Sequence, residues 1–327
     1  MVHLAFLDAV DPRIGAEVDR LLPKGWRLTR TRSNAAADRQ AAAAGADVAM
    51  IIGTGVDKAL LEAAPNLRFI QKLGAGVDNV DPAACGAHGV AVARLQAGNA
   101  VQVAEHTVML LLAALRRLPY FDRRTREGAW LRAEGRAAQR QLAGKRVGII
   151  GLGAIGRQVA RRLAGFDVDV VYYDIKRPGQ ALEAELKVRY CGFDELVESC
   201  DVVTLHVPLD RNTRNMLGAE TIARLKHGAT IVNCARGGLI DEQALSRALE
   251  SGAVHAAGLD TFEVEPLDAS PLLARDEAVV TPHLAGATIE NFIHVFERGL
   301  ANIDRHLAGR PLPEGELAIA ADGSTPG

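Results

Sequence analysis

Three glycines follow a short apolar run in the middle of the chain. Residues 146–150, Arg-Val-Gly-Ile-Ile, predict a buried strand, and Gly151, Gly153 and Gly156 come directly after it. From Arg157 onward the sequence continues with helical periodicity. In such a strand, turn and helix, the first glycine permits a tight turn, the second lets backbone N–H groups approach a pyrophosphate, and the third lets helix and strand pack closely. The segment therefore predicts a dinucleotide-binding turn at a helix N-terminus.

An acidic residue at the end of the next predicted strand bears on the choice of cofactor. Residues 168–173 form a second β-rich run, and Asp174 follows it. A carboxylate at this place accepts hydrogen bonds from the adenine ribose hydroxyls of NAD, and its charge opposes the 2′-phosphate of NADP. Lys176 and Arg177 come next and could partly neutralise such a phosphate. The sequence predicts NAD, with some use of NADP left open.

Length, charge and composition exclude several classes of protein. A chain of 327 residues predicts two domains, each large enough to bury its own core. The net charge is −2, with acidic and basic residues interspersed, so we expect neither nucleic acid nor an anionic membrane as a partner. The longest strongly apolar run, residues 108–115, is too short to cross a bilayer, and no basic leader precedes the first strand. These features predict a cytoplasmic protein.

The four cysteines show no pattern of metal ligands. Cys85, Cys191, Cys200 and Cys234 form neither a CxxC pair nor a cysteine and histidine cluster in the sequence. We expect reduced, partly buried thiols and no metal site.

Short apolar strands alternate with helical stretches along the chain. The pattern is typical of an α/β fold and predicts two doubly wound, Rossmann-like domains in tandem. Strands are predicted at 3–7, 27–31, 47–52, 68–73, 146–150, 168–173, 202–207, 229–234, 255–260 and 278–281, with an early helix at 12–22.

Three further segments bear on how the domains are connected. A helix predicted at 101–118 would be about 27 Å long at 1.5 Å per residue and could run from one domain to the other. The last helical stretch, 289–307, has an apolar stripe that could cover the first sheet. Residues 311–327 contain three prolines, three glycines and no sustained periodicity, which predicts a lightly held tail.

Charged side chains follow three successive strands of the second series. Arg236 follows the strand at 229–234, an acidic cluster that includes Glu265 follows the next strand, and His283 follows the last one. Ligands of open parallel sheets bind beyond the carboxyl ends of the strands, so we expect these three side chains to reach one crevice. His206 also ends a strand, and position alone does not choose between it and His283.

Hydride transfer between a nicotinamide and a carbinol carbon needs these three residue types. A proton must move on or off the oxygen, and imidazole is suited to this near neutral pH. A carboxylate beside the ring, for which Glu265 is the candidate, orients it and stabilises its protonated form. The planar guanidinium of Arg236 can hold a substrate carboxylate or its neighbouring carbonyl oxygen.

Seven runs of the sequence resemble the D-isomer-specific 2-hydroxyacid dehydrogenase family. They include Asn-Cys-Ala-Arg-Gly, Gly-Leu-Asp-Thr-Phe-Glu-Val-Glu-Pro and Thr-Pro-His-Leu-Ala-Gly, and together they are highly specific. The runs are 72–81, 98–106, 142–153, 205–209 with Thr213, 233–237, 258–266 and 281–286.

The resemblance implies a role for each matching position. Arg236 would bind the 2-oxo acid, His283 would be the acid/base, and Glu265 would be its partner. Backbone N–H groups of Gly74, Ala75 and Gly76 would bind the substrate carboxylate, with Asn99 nearby. Cofactor contacts would come from Gly151, Gly153, Ala154, Ile155, Gly156, Asp174, Val207, Pro208, Thr213, Cys234, Ala235, Asp260 and Gly286.

The resemblance also implies a domain layout and an assembly. A nucleotide-binding Rossmann domain at 99–287 would be inserted into a flavodoxin-like substrate domain made of 1–98 and 288–327. Members of the family are usually homodimers, paired through the nucleotide domain and a segment that corresponds to 120–141.

The expected substrate is a small, unphosphorylated 2-oxo acid of the glyoxylate, hydroxypyruvate or pyruvate type. Phosphoglycerate dehydrogenases of the family have an arginine in the loop that corresponds to 51–55, where this chain has no cation. Phosphite-oxidising relatives carry a lysine near the position of Ala75, and formate dehydrogenases have glutamine in place of the glutamate that corresponds to Glu265. This chain has neither feature. Two alternatives stay open: a phosphoglycerate dehydrogenase, and an NAD(H)-responsive protein-binding module like the corepressors of the family, which keep the same arginine, glutamate and histidine.

Overall fold

The computed structural model describes residues 1–96 and 98–326. The chain divides into two compact units: unit 1 is Met1–Asn99 with Ala287–Gly327, and unit 2 is Ala100–Gly286. Each unit contains one mainly parallel sheet between helices, so the predicted α/β class is confirmed. Within the described residues, no helix is both long and apolar enough to cross a membrane.

Thirteen strands are assigned in the described residues. They are β1 (His3–Phe6), β2 (Arg27–Arg30), β3 (Val48–Ile51), β4 (Phe69–Lys72), β5 (Ala91–Ala93), β6 (Arg146–Ile150), β7 (Asp169–Tyr173), β8 (Arg189–Tyr190), β9 (Val202–Leu205), β10 (Ala229–Asn233), β11 (Val254–Leu259), β12 (Ala278–Val280) and β13 (Leu317–Ile319).

Thirteen α-helices are assigned in the same residues. They are α1 (Pro12–Leu21), α2 (Ala36–Ala43), α3 (Lys58–Glu62), α4 (Pro82–His88), α5 (Ala100–Leu115), α6 (Leu118–Arg126), α7 (Arg132–Ala138), α8 (Ala154–Leu163), α9 (Gln180–Leu186), α10 (Phe193–Ser199), α11 (Ala219–Ala223), α12 (Glu242–Glu250) and α13 (Ile289–Leu307).

Unit 1 has a six-stranded sheet in the order β13-β5-β4-β3-β1-β2. Its first five strands are parallel and follow the flavodoxin-like order 2-1-3-4-5, while β13 pairs antiparallel with β5. Alternate residues of β1 enter two apolar clusters on opposite faces. On one face, Phe6 makes edge-to-face contacts with Phe292 and Phe296 of α13. The last helix therefore covers the first sheet.

Unit 2 has a seven-stranded parallel sheet in the order β12-β11-β10-β9-β6-β7-β8. Chain order reverses between β6 and β9, which creates the crevice where ligands of doubly wound sheets bind. Ile149 and Ile150 of β6 belong to apolar clusters on opposite faces of the sheet. On one face α5 comes close to β11, because a Cβ at Gly258 would lie 3.0 Å from that of Leu110.

Two predictions about connecting segments are wrong. The helix predicted at 101–118 ends at Leu115, because Arg117 adopts a left-handed conformation (φ 47°) and α6 begins at Leu118. The tail predicted at 311–327 contains β13. Glu316, 3% exposed, accepts hydrogen bonds there from Arg298 and from Asn302, the latter at 2.7 Å. This buried carboxylate ties the tail to α13.

Candidate active site

The glycine turn after β6 has the steric requirements of a phosphate-binding turn. Gly151 has φ 95°, and a Cβ there would lie 2.6 Å from the carbonyl oxygen of His206. A Cβ at Gly156 would lie 2.1 Å from the carbonyl oxygen of Gly151, so only glycine fits at either position. At Gly153 a Cβ would meet no atom within 4 Å, which leaves open space beside the backbone.

The helix that follows this turn offers unpaired N–H groups. No side chain caps the N-terminus of α8, and Gly153 and Ala154 are exposed. The first N–H groups of a helix lack partners within it and carry partial positive charge. Open space beside Gly153 and an uncapped helix end together fit a dinucleotide pyrophosphate.

Asp174 lies beside the glycine turn at the end of β7. Its Oδ2 accepts a hydrogen bond from Leu152 N at 2.7 Å and its Oδ1 accepts one from Lys176 N at 2.9 Å. The nearby Arg177 donates to both carboxylate oxygens of Glu183, at 2.7 and 3.0 Å. Hydrogen bonds from Arg177 and Tyr172 lower the pKa of Glu183 to about 2. The guanidinium of Arg177 is thus paired with the carboxylate of Glu183.

The turn after β10 holds Arg236 through the side chain of Asn233. The buried amide donates from Nδ2 to Arg236 O at 2.8 Å and accepts at Oδ1 from Ala235 N at 3.0 Å. A Cβ at Gly237 would lie 1.8 Å from the carbonyl carbon of Phe262. The arginine turn therefore packs directly against the loop that follows β11.

His283 and Glu265 form a hydrogen-bonded pair. Nδ1 of His283 lies 2.6 Å from Oε2 of Glu265, and the side chains are 50% and 34% exposed. Oε1 of Glu265 accepts from Phe262 N at 2.9 Å. Partial burial raises the pKa of Glu265, but the hydrogen bonds from His283 and Phe262 and the charge of Arg236 outweigh it, so the pKa lies below its usual value. Arg236, Glu265 and His283 therefore lie together.

Asp260 holds the loop that carries His283. Its carboxylate is fully buried and accepts from Thr281 Oγ1 at 2.6 Å, Leu284 N at 2.9 Å and Ala285 N at 2.8 Å. Its backbone oxygen accepts from His283 N at 2.8 Å. Asp260, which the sequence predicts to contact the cofactor, thus makes its hydrogen bonds to the 281–285 loop.

His206 differs from His283 in its surroundings. Burial lowers the pKa of His206 to about 3, so its ring is neutral near neutral pH. Its Nδ1 has no hydrogen-bond partner, and its Nε2 lies 3.0 Å from Thr204 Oγ1. A ring that does not accept a proton in this range is poorly suited to acid/base work, which favours His283.

The remaining predicted residues of unit 2 lie in loops at the carboxyl ends of its strands. Thr213 Oγ1 donates to Pro208 O at 2.7 Å and closes the loop after β9, next to Val207. Cys234 follows β10, and burial raises the pKa of its thiol to about 12. It is therefore a neutral thiol and no nucleophile.

The predicted substrate-carboxylate residues belong to unit 1. Gly74, Ala75 and Gly76 follow β4, with Ala75 exposed, and Gly74 O accepts from Leu95 N at 2.9 Å. Asn99 is half-buried. The neighbouring loop after β3 is fixed by Asp8, whose carboxylate accepts hydrogen bonds from three consecutive N–H groups at 52–54.

A doubly wound sheet with this turn after β6 and an aspartate, Asp174, after β7 defines a dinucleotide-binding protein of the Rossmann class. Residues 108–285 match the family described as "D-isomer specific 2-hydroxyacid dehydrogenase, NAD binding domain". The chain belongs to this family, which confirms the predicted family and the NAD cofactor.

Relatives of known name differ in substrate. A D-3-phosphoglycerate dehydrogenase of Archaeoglobus fulgidus is 40% identical over 243 residues, 74% of this chain and 46% of the relative. A hydroxypyruvate reductase of Thermotoga maritima is 40% identical over 241 residues, 72% of this chain and 76% of the relative. The chain thus spans about half the length of the phosphoglycerate dehydrogenases that it matches.

A solved structure supports the whole fold. The pyruvate reductase of Chlamydomonas reinhardtii superposes with a TM-score of 0.86 at 32% identity, covering 96% of this chain and 98% of its own. This similarity extends over both units.

Sequence reasoning missed the residues that position the charged ones. Asn233 and Thr281 lie in runs that resemble the family, yet their hydrogen bonds to the Arg236 turn and to Asp260 appear only in the fold. Polar residues two or three positions before a predicted catalytic residue were the available signal.

Proposed function

We propose that the chain interconverts a small, unphosphorylated 2-oxo acid and its D-2-hydroxy acid with NAD(H). The substrate is of the glyoxylate, hydroxypyruvate or pyruvate type. The observation that carries the proposal is the 2.6 Å contact between His283 Nδ1 and Glu265 Oε2, with Arg236 close enough to lower the pKa of that carboxyl.

His283 is the proposed acid/base. Because Glu265 engages Nδ1, the other ring nitrogen, Nε2, gives a proton to the substrate oxygen in reduction and takes it back in oxidation. The carboxylate fixes the orientation of the ring. Arg236 binds the 2-oxo acid through its guanidinium, at the carboxylate or at the neighbouring carbonyl oxygen. Bound nicotinamide supplies or accepts the hydride at its C4 atom.

The cofactor residues are proposed on the resemblance and on the open glycine turn. The turn, with Gly151, Gly153, Ala154, Ile155 and Gly156, would hold the pyrophosphate. Asp174 would hold the adenine ribose, and the engagement of Arg177 by Glu183 favours NAD over NADP. The other proposed contacts are Val207, Pro208, Thr213, Cys234, Ala235, Gly286 and, through the loop that it holds, Asp260.

The substrate residues of unit 1 and the assembly are also proposals. Gly74, Ala75, Gly76 and Asn99 would bind the substrate carboxylate. We assign the substrate domain to 1–98 with 288–327 and the nucleotide domain to 99–287. We also propose that the protein is a homodimer. The segment 120–141, which holds α6 and α7, would pair the subunits.

A D-3-phosphoglycerate dehydrogenase is the second candidate. The names of relatives favour it. A cation also lies beside the loop at 51–55, because Arg39 of α2 donates a hydrogen bond to Gly55 O. That loop itself carries no cation, and Asp8 places a carboxylate against it. These two features disfavour a substrate phosphate there.

A turnover screen tests the proposal. Purified protein is mixed with NADH and glyoxylate, hydroxypyruvate, pyruvate or phosphohydroxypyruvate, and kcat/KM is measured for each. We expect rapid oxidation of NADH with at least one small acid, and a kcat/KM at least about 10-fold lower for the phosphorylated one. A preference for the phosphorylated acid would instead identify a phosphoglycerate dehydrogenase.

The matched variant is His283→Ala. It should lower kcat by about 10²–10⁴ and leave NADH binding nearly intact. NADH binding without turnover on any acid would favour the protein-binding module.

A further inference from the structure

A partly exposed histidine of α5, His106, contacts the loop that carries His283. His106 Nε2 lies 3.0 Å from Thr281 Oγ1 and 3.5 Å from Asp260 Oδ1. The His106 side chain is only 11% exposed, and that of Asp260 is fully buried. None of the roles proposed above uses His106.

The direction of each hydrogen bond in this cluster follows from the number of protons. The Thr281 hydroxyl has one hydrogen, and its 2.6 Å bond to the Asp260 carboxylate takes it. The 3.0 Å contact with His106 therefore requires Nε2–H of the imidazole to donate to Thr281 Oγ1. Burial lowers the pKa of His106. The negative charge of Asp260 raises it, but by less, so the pKa lies below its usual value. A neutral ring with one N–H suits this role.

The cluster ends at a strained residue. His283 has φ 51°, a left-handed conformation that costs a residue with a Cβ some free energy. Its N–H donates to Asp260 O, and the next two N–H groups after it donate to the Asp260 carboxylate. A loop held at consecutive positions can maintain such a conformation. Fixing Asp260 therefore fixes the direction of the His283 ring toward Glu265.

We infer that His106 is a positioning residue for His283, acting through the Thr281 hydroxyl and the Asp260 carboxylate. The inference rests on the proposed function, in which His283 moves the proton. Without the donor on α5, the hydroxyl and carboxylate can adopt other orientations, and the His283 ring spends less time against Glu265.

Two pairs of variants test the inference. His106→Phe keeps a ring and removes the N–H donor, while His106→Gln keeps an N–H donor. Thr281→Val removes the hydroxyl with little change of shape, while Thr281→Ser keeps it. We expect His106→Phe and Thr281→Val to lower kcat at least about 10-fold with the Kd for NADH changed less than about 3-fold, and the Gln and Ser variants to recover most of kcat.

A second readout does not depend on turnover. The proton between His283 Nδ1 and Glu265 should give a downfield NMR signal in protein with labelled histidine. We expect this signal in the wild type and in His106→Gln, and its loss by exchange in His106→Phe. If the wild type turns over none of the acids, the proposed function fails while the NMR signal still tests the positioning role.

His255→Phe is the matched control. His255 is buried at the opposite end of β11 from Asp260, and burial lowers its pKa as it lowers that of His106. Its replacement should leave kcat near the wild-type value. An equal loss of kcat in His255→Phe, or unchanged kcat and NMR signal in His106→Phe, would overturn the inference. If His106→Phe does not fold, Thr281→Val decides by the same measurements.

Discussion

Glu265 keeps its negative charge in a half-buried place because donors surround it. The carboxylate receives hydrogen bonds from the His283 ring and from Phe262 N, and Arg236 adds a positive charge. Its pKa in the folded protein lies below that of an ordinary glutamate. A carboxyl with a lowered pKa in the folded state stabilises the fold above its unfolded pKa, and this contribution is lost as the pH falls through the folded pKa.

Glu265→Gln should therefore destabilise the protein in a pH-dependent way. We expect the difference in free energy of unfolding from the wild type to be larger at about pH 7 than at about pH 4, where the unfolded glutamate becomes protonated. Denaturant titrations of both proteins at the two pH values measure it. A difference that is constant, or that grows toward acid, contradicts the assigned surroundings.

The carboxylate of Asp174 carries a negative charge and also accepts a hydrogen bond from Leu152 N. Two variants separate the effect of the charge from that of the hydrogen bond. Asp174→Asn keeps an acceptor for Leu152 N and removes the charge, so it should narrow the preference for NAD over NADP. Asp174→Ala should also weaken binding of both cofactors, because Leu152 N loses its partner. The ratio of kcat/KM values for the two cofactors is the measurement, with Arg177→Ala as the comparison. An unchanged ratio in Asp174→Asn would show that the charge of Asp174 does not discriminate between the ribose of NAD and the 2′-phosphate of NADP.

At the residue scale, the sequence points to the charged residues of the proposed site but not to the residues that hold them in place. Arg236, Glu265 and His283 could be chosen because their types suit one reaction and each follows a strand of one sheet. Asn233 and His106 could not, because an amide or an imidazole gains its role from hydrogen bonds that only the folded chain shows. Asp260 was expected at the cofactor, and its bonds to the 281–285 loop emerged only from the fold.

At the scale of elements, two loops interlock at a glycine. The turn after β10 carries Arg236, and Gly237 packs against the backbone of Phe262 in the loop that leads to Glu265. Any side chain at Gly237 must push these loops apart. The distance between the guanidinium and the carboxylate therefore depends on this contact.

Gly237→Ala should separate the loops. Overpacking of this kind costs about 1–3 kcal/mol of stability, and we expect kcat/KM for the 2-oxo acid to fall by more than the Kd for NADH rises. Gly165→Ala is the matched control, because a Cβ there meets no atom within 4 Å and no left-handed φ is required. Equal behaviour of the two variants would show that the interlock does not hold the arginine turn.

The accuracy of the element predictions follows from periodicity. The strand at 146–150 and the helix at 289–307 were predicted with the bounds that the structure has, since both carry a continuous apolar pattern. The helix after residue 100 was drawn too long because nothing in the sequence marks Arg117 as left-handed. β13 has three residues, too few to show alternation, and its place depends on pairing with β5 across more than 220 residues.

At the scale of the whole molecule, each of the two units has its own sheet and its own apolar core. All of the proposed NAD contacts lie in unit 2, whereas the C-terminal strand β13 completes the sheet of unit 1. A defect confined to the end of the chain should then change stability without changing the cofactor site. The buried Glu316 provides such a defect.

Glu316→Ala removes the carboxylate that receives Arg298 and Asn302 and so should release β13 from α13. Since hydrogen bonds to a buried charged group contribute about 1.5–3 kcal/mol, we expect a loss of that order in the free energy of unfolding. Glu314→Ala, at an exposed position two residues earlier, should change it by less than about 0.5 kcal/mol. Denaturant titration and NADH binding are measured on both variants. Weaker NADH binding in Glu316→Ala under conditions where it stays folded would contradict the separation, because it would link the end of unit 1 to the nucleotide site.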